Sequence, residues 1–131
     1  MRHRVDSSDV NIDIPRTETV TPHYDTQACC LQLTVPGDIK STTTAALHRD
    51  VFAILAHDVT RSLSLKVIEL DISAATMVDS LGLNLVISVL KWGKQRDAQL
   101  RIRIGKRGVY STMLAVGLDR QAELITTYLN D

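Results

Sequence analysis

The chain has 131 residues, with fifteen basic and fifteen acidic side chains and no net charge at neutral pH. That length suits one domain able to bury roughly two-thirds of its unfolded surface without staples. The charge balance supplies no basic field for nucleic acid or an anionic membrane, and no acidic excess of the disordered kind.

Residues 1–26 mix charges, Pro15, Pro22 and isolated aliphatics, which predicts an N-terminal arm, partly flexible or ending in an edge strand. The arm holds no apolar core of signal-peptide length, and nowhere do about 18 apolar residues run together. A cytoplasmic protein without membrane insertion is expected.

From Ala28 the pattern changes. In "ACCLQLTV" the side chains of Cys29, Leu31, Leu33 and Val35 share one face, which predicts a strand covered on one side. Neighbouring side chains of a strand point oppositely, so a disulfide between Cys29 and Cys30 is not expected. Pro36, Gly37 and Asp38 break the strand. Ser41 to Thr44 then offer caps for a helix carrying Leu47, Val51, Ile54 and Leu55 on one face and fading near Thr60.

"KVIELDIS" alternates Ile68, Leu70 and Ile72 with Glu69, Asp71 and Ser73, giving a second strand, and a turn leads into "VDSLG". Leu81 through Trp92 is apolar almost all round. Asn84, Ser88, Lys91 and Gln95 form a narrow wet stripe, so this is the most buried helix. "LRIRI" repeats the one-sided alternation, with Leu100, Ile102 and Ile104 against Arg101 and Arg103. A short helix from about Lys106 to Val116 is stopped by Gly117 with Leu118 folding back, and "ELITTYL" supplies a final strand.

A doubly wound sheet is apolar on both faces, and these strands are not. The expected fold is α/β, a sheet with its helices on one face and Glu69, Asp71, Arg101 and Arg103 on the other. Cross-strand ion pairs are possible on that face, but exposed charge is the plain explanation of Glu69 and Asp71.

Enzyme chemistry finds little support. His3, His23, His48 and His57 lack the close pairing of a helical metal site, and His48 and His57 project in opposed directions from one helix. "GKRG" at 105–108 lacks the other landmarks of a phosphate-binding loop. No catalytic residue, metal or cofactor is expected.

Ser80 is different. Asp79 fits the N-cap of the buried helix, Ser80 its first turn, and Gly82 a close packing contact with the sheet. A first-turn serine is exposed beside free backbone N–H groups that favour an anion, so it is well placed for phosphorylation. The same property supports a different expectation, direct binding of a nucleotide phosphate at this helix start.

"VPGDI", "VIELDISAATMVDSLGL", the hydrophobic helix after it and "LAVGLDRQAELI" together resemble the STAS domain family, over residues from about 28 to 126. The resemblance implies a STAS-like mixed sheet of four to five strands, with the domain spanning 27–131. In the small bacterial anti-sigma factor antagonists of that family, the serine of D-S-x-G is the phosphate acceptor, which implies Ser80 here. The implied function is transcription regulation by partner switching. The unphosphorylated protein binds an anti-sigma factor that is also a serine kinase, phosphorylation releases it, and a serine phosphatase resets the cycle.

The implied partner surface comprises Asp38, Lys40, Asp79, Ser80, Leu81, Gly82 and Asn84. A weak homodimer is a further expectation, and direct nucleic-acid contact is not. Two departures stand out: Leu81 replaces a second hydroxyl common in the family, and "GDIK" puts Lys40 where relatives carry an acid. The alternative implied by the same family is a non-phosphorylated subunit docked on a transporter ATPase of the phospholipid-trafficking type.

Overall fold

The computed structural model describes residues 14–128. Strands β1 (Thr21–Asp25), β2 (Cys30–Thr34), β3 (Val67–Ile72), β4 (Gln99–Ile104) and β5 (Glu123–Thr126) form one sheet in that order. β1 runs antiparallel to β2, and the remaining pairs are parallel. Helices α1 (Thr44–Ala56), α2 (Asp58–Arg61), α3 (Ser80–Lys94) and α4 (Arg107–Ala115) fill the connections, so this is the expected α/β sheet with five strands. Parallel strands joined by right-handed crossovers, always stepping the same way, throw every helix onto the same face.

Register explains the core. Leu31 pairs with Ile68 and Ile68 with Leu100, while Leu33, Leu70 and Ile102 form a second apolar row. These residues are fully or almost fully buried beneath Leu47, Val51 and Ile54 of α1 and Leu85, Val86 and Val89 of α3. The one-sided alternation in the sequence is therefore real burial, with helices supplying the second layer.

Cys29, expected on the covered face with Leu31, lies outside β2 with φ +51° and is half-buried, and two further details depart from the sequence reading. The helix expected to reach Thr60 ends at Ala56. His57 adopts an extended conformation (φ −65°, ψ 142°), and its Nδ1 accepts from the Val59 N–H at 3.1 Å, capping the separate turn α2. No glycine or proline marks this break, because the imidazole itself supplies the cap.

The second of these two is Glu69, expected to be exposed and found only 3% exposed. Arg101 Nε donates to it at 2.8 Å, Arg103 Nε at 3.1 Å and Gln32 Nε2 at 2.7 Å, so three neighbours on adjacent strands close over its carboxylate. Burial pushes the Glu69 carboxyl up, but the bonds from Arg103, Gln32 and Arg101 outweigh it and hold the group below its usual range. Asp71 instead turns back to the amide and hydroxyl of Ser73.

Residues preceding β1 are tied to α1 through Asp50, which accepts from the Thr19 N–H at 3.1 Å and from its hydroxyl at 2.5 Å. Val20 beside them is fully buried. At the other end of the chain, Gly117 adopts φ +77° and stops α4, allowing Leu118 to turn inward to 2% exposure. No helix among the described residues is long and apolar enough to cross a membrane.

Candidate functional site

At the carboxyl ends of β2 and β3, two loops bring residues 36–43 against residues 73–79. An isolated parallel bridge joins Ile39 to Val78, with the Ile39 N–H donating to Met77 O at 3.0 Å and the Asp79 N–H to Ile39 O at 3.1 Å. Asp38 and Asp79 lock this junction from opposite sides. One carboxylate oxygen of Asp38 accepts from the Thr76 N–H (2.6 Å), the Thr76 hydroxyl (2.9 Å) and the Met77 N–H (3.2 Å). Asp79 reaches the other way, accepting from the Ser41 N–H at 2.8 Å.

Asp79 also performs the capping read from the sequence: its second carboxylate oxygen accepts from the Gly82 N–H at 2.9 Å. Gly82 is buried because α3 begins hard against the bridge. A Cβ at that position would lie 2.1 Å from the Ile39 carbonyl oxygen, inside any permitted contact. The glycine is thus required by proximity, and the oxygen it protects is the one that receives the Asp79 amide.

Ser80 is left exposed at the first position of α3, and its hydroxyl has no hydrogen-bond partner among the described residues. Because Asp79 satisfies the helix end, the serine is not consumed by the fold. Met77 and Leu81 flank it at 47% and 49% exposure, a display of apolar surface matched among the described residues only by Leu114 and Val116 at the end of α4. Asn84 is exposed one turn along α3, and its carbonyl accepts from the Ser88 hydroxyl at 2.8 Å.

Lys40 lies close enough to both aspartates to help hold their carboxyls below the usual range. The dominant cause is the Thr76 backbone N–H for Asp38 and the Gly82 backbone N–H for Asp79. Of the sequence-derived residues, Asp38, Lys40, Asp79, Ser80, Leu81, Gly82 and Asn84 fall in this one region. Their roles differ: Asp38 and Gly82 build the junction, whereas Ser80, Leu81 and Asn84 face outward. Met77 was missed, since no periodicity distinguishes an exposed turn methionine from a buried one.

Beside the junction a hollow of about 300 Å³ runs between Thr19, Pro36, Gly37 and the start of α1. Among the described residues no group of three metal-ligating side chains comes together. His48 stacks on Phe52 at 4.6 Å, an ordinary helix-surface role.

The family model described as "Mlab, STAS domain" matches residues 23–127. Among solved structures, a candidate anti-sigma factor antagonist from Thermotoga maritima is similar with a TM-score of 0.68 and 15% identity, over 85% of this chain and 89% of that one. An anti-sigma factor antagonist from Mycobacterium paratuberculosis is similar with a TM-score of 0.61 and 19% identity, over 85% of this chain and 90% of that one. At these identities the structural likeness speaks to the fold. No curated protein matches significantly.

Proposed function

The chain belongs to the STAS domain family, and from that premise we propose that it is an anti-sigma factor antagonist, a non-enzymatic binding domain switched off by phosphorylation of Ser80. The observation that carries this reading is the division of labour at the start of α3: Asp79 caps the helix, leaving the Ser80 hydroxyl exposed and unpartnered. The likeness to antagonist structures supports the same class.

In the unmodified state, Met77 and Leu81 offer apolar contact area around Ser80 to an anti-sigma factor with serine-kinase activity. In the transfer step the Ser80 oxygen bonds to the γ-phosphorus of the kinase's ATP, ADP departs, and the hydroxyl proton passes to a base on the kinase. A phosphatase later hydrolyses the ester with water, restoring the serine and releasing inorganic phosphate.

The phosphoryl group brings about −1.5 to −2 charges to a helix N-terminus that favours anions, so α3 survives the modification. The docking surface does not. Asp38 and Asp79 already make the junction acidic, Lys40 is the cation whose field reaches both, and added charge must be desolvated when a partner covers it.

The test is a pull-down from native cell extract with the full chain as wild type, Ser80→Ala and Ser80→Asp, together with mass spectrometry of Ser80 after incubation with the retained kinase. A kinase-like protein held by the first two baits and lost by the third supports the switch. Identical retention on all three baits, with no phosphate at Ser80, overturns it and leaves docking on a transporter ATPase as the better account.

A further inference from the structure

A second site is built at the opposite end of α3, where no part of the proposed switch reaches. Trp92 lies roughly 18 Å along the helix axis from Ser80. There α2, the segment leading into β3 and the last turns of α3 enclose a hollow of about 130 Å³ lined by Thr60, Arg61, Leu63, Leu65, Trp92 and Arg96.

Thr60 is only 1% exposed, and its hydroxyl has no hydrogen-bond partner among the described residues. A buried hydroxyl left in that condition is costly and rare. At the rim stand two exposed guanidinium groups, Arg61 and Arg96, neither paired with a carboxylate among the described residues. No acidic side chain lines the hollow.

Arg96 is stacked on the indole of Trp92, its central carbon 3.9 Å from the ring centroid. Stacking of this kind leaves the in-plane N–H donors of the fork free for an oxygen acceptor. Leu63 and Leu65, both half-buried, add apolar wall beside these donors, which strengthens a charge-assisted bond formed against it.

From this arrangement we infer that the hollow binds a small oxyanion, inorganic phosphate or the phosphoryl end of a small soluble metabolite. Arg61 and Arg96 supply the charge, and a rotation of the Thr60 side chain brings its buried, unpartnered hydroxyl to the ligand as a further donor. The hollow, about 130 Å³, has room for a tetrahedral oxyanion with ordered water, a water needing roughly 10–15 Å³ of such space. The carboxyl end of α3 opposes binding with about half an elementary charge, which two full positive charges exceed.

The chain carries its own reporter, since Trp92 is its single tryptophan. Sodium phosphate is titrated into the full-length protein, against sodium chloride at matched ionic strength, following tryptophan emission and the amide spectrum of ¹⁵N-labelled protein. The expected result is a saturable response to phosphate alone, with amide shifts concentrated in residues 60–65 and 92–96.

Arg61→Ala and Arg96→Ala are expected to weaken binding about tenfold or more. Thr60→Val weakens it while Thr60→Ser retains it, which separates the hydroxyl from a packing effect. Superimposable phosphate and chloride titrations, shifts confined to the start of α3, or equal affinity in folded Arg61→Ala and Thr60→Val would each overturn the assignment.

Discussion

Asp38 and Asp79 each secure the loop that carries the other. Asp38 accepts from Thr76 and Met77 just ahead of Asp79, and Asp79 accepts from Ser41 just beyond Asp38. The two residues close one ring of contacts around the Ile39 and Val78 bridge.

This clasp makes stability depend on acid. Both carboxyls are held below their ordinary values by donated hydrogen bonds, so the folded chain binds those protons less tightly than the unfolded one. Their contribution is fully present above the unfolded carboxylate pKa of about 4 and is lost as pH falls through the lower folded values. Urea midpoints measured from neutral pH downward should therefore drop in that acidic window. In Asp38→Asn and Asp79→Asn the drop should be shallower and the neutral-pH midpoint lower, and an unaltered profile in both variants would contradict the clasp.

Gly82→Ala tests the close approach of α3 to the bridge. The new methyl meets the Ile39 carbonyl oxygen, so α3 or the loop must shift. We expect a loss of about 1–3 kcal/mol in chemical denaturation, against the gain of up to about 1 kcal/mol that alanine ordinarily gives over glycine inside a helix. A stabilised variant would show that the contact is looser than described.

Ser80 substitutions should leave stability within about 0.5 kcal/mol of wild type, because the residue is exposed and its hydroxyl holds nothing in place. For Ser80→Asp the favourable helix-end charge is offset by the neighbouring Asp79. Equal denaturation midpoints, combined with lost partner retention for Ser80→Asp, would separate an effect on recognition from one on folding.

Glu69→Ala removes the acceptor shared by Arg101, Arg103 and Gln32. The arginines are partly solvated and recover some hydration, so a cost of about 1–3 kcal/mol is expected rather than the larger penalty of a fully buried pair. Combining it with Arg103→Ala should cost less than the sum of the single changes, and strict additivity would argue against a shared network.

Cys29 and Cys30 should differ in reactivity. Burial raises the Cys30 thiol pKa despite the nearby Arg101 guanidinium, and the side chain is 7% exposed, whereas Cys29 is half-buried. Iodoacetamide near neutral pH should label Cys29 first, as read by peptide mass spectrometry. Faster labelling at Cys30 would mean that the edge between β1 and β2 opens readily.

The sheet was legible because its signal is local and periodic. Leu31, Leu33, Ile68, Leu70, Leu100 and Ile102 announce one buried face by alternation alone, and Asp79-Ser80-Leu81-Gly82 announces a helix start by its cap chemistry. The fate of Glu69 was not legible, since burial there is created by side chains from two other strands in a register that no local pattern records. The clasp escaped for the same reason: Asp38 meets Thr76 and Asp79 meets Ser41 across 38 residues of chain. The break at His57 escaped because the sequence offers none of the usual stop signals there.

A strand order that never doubles back decides what kind of surface the molecule presents. Where order reverses in a parallel sheet, loops at the carboxyl ends of the strands diverge and open a crevice that can enclose a small molecule. From β2 to β5 the strands step one way only, so the loops after β2 and β3 lie shoulder to shoulder. That end of the sheet carries one joined loop surface with Ser80 exposed where α3 begins, and the hollow of about 300 Å³ lies beside it rather than between diverging loops.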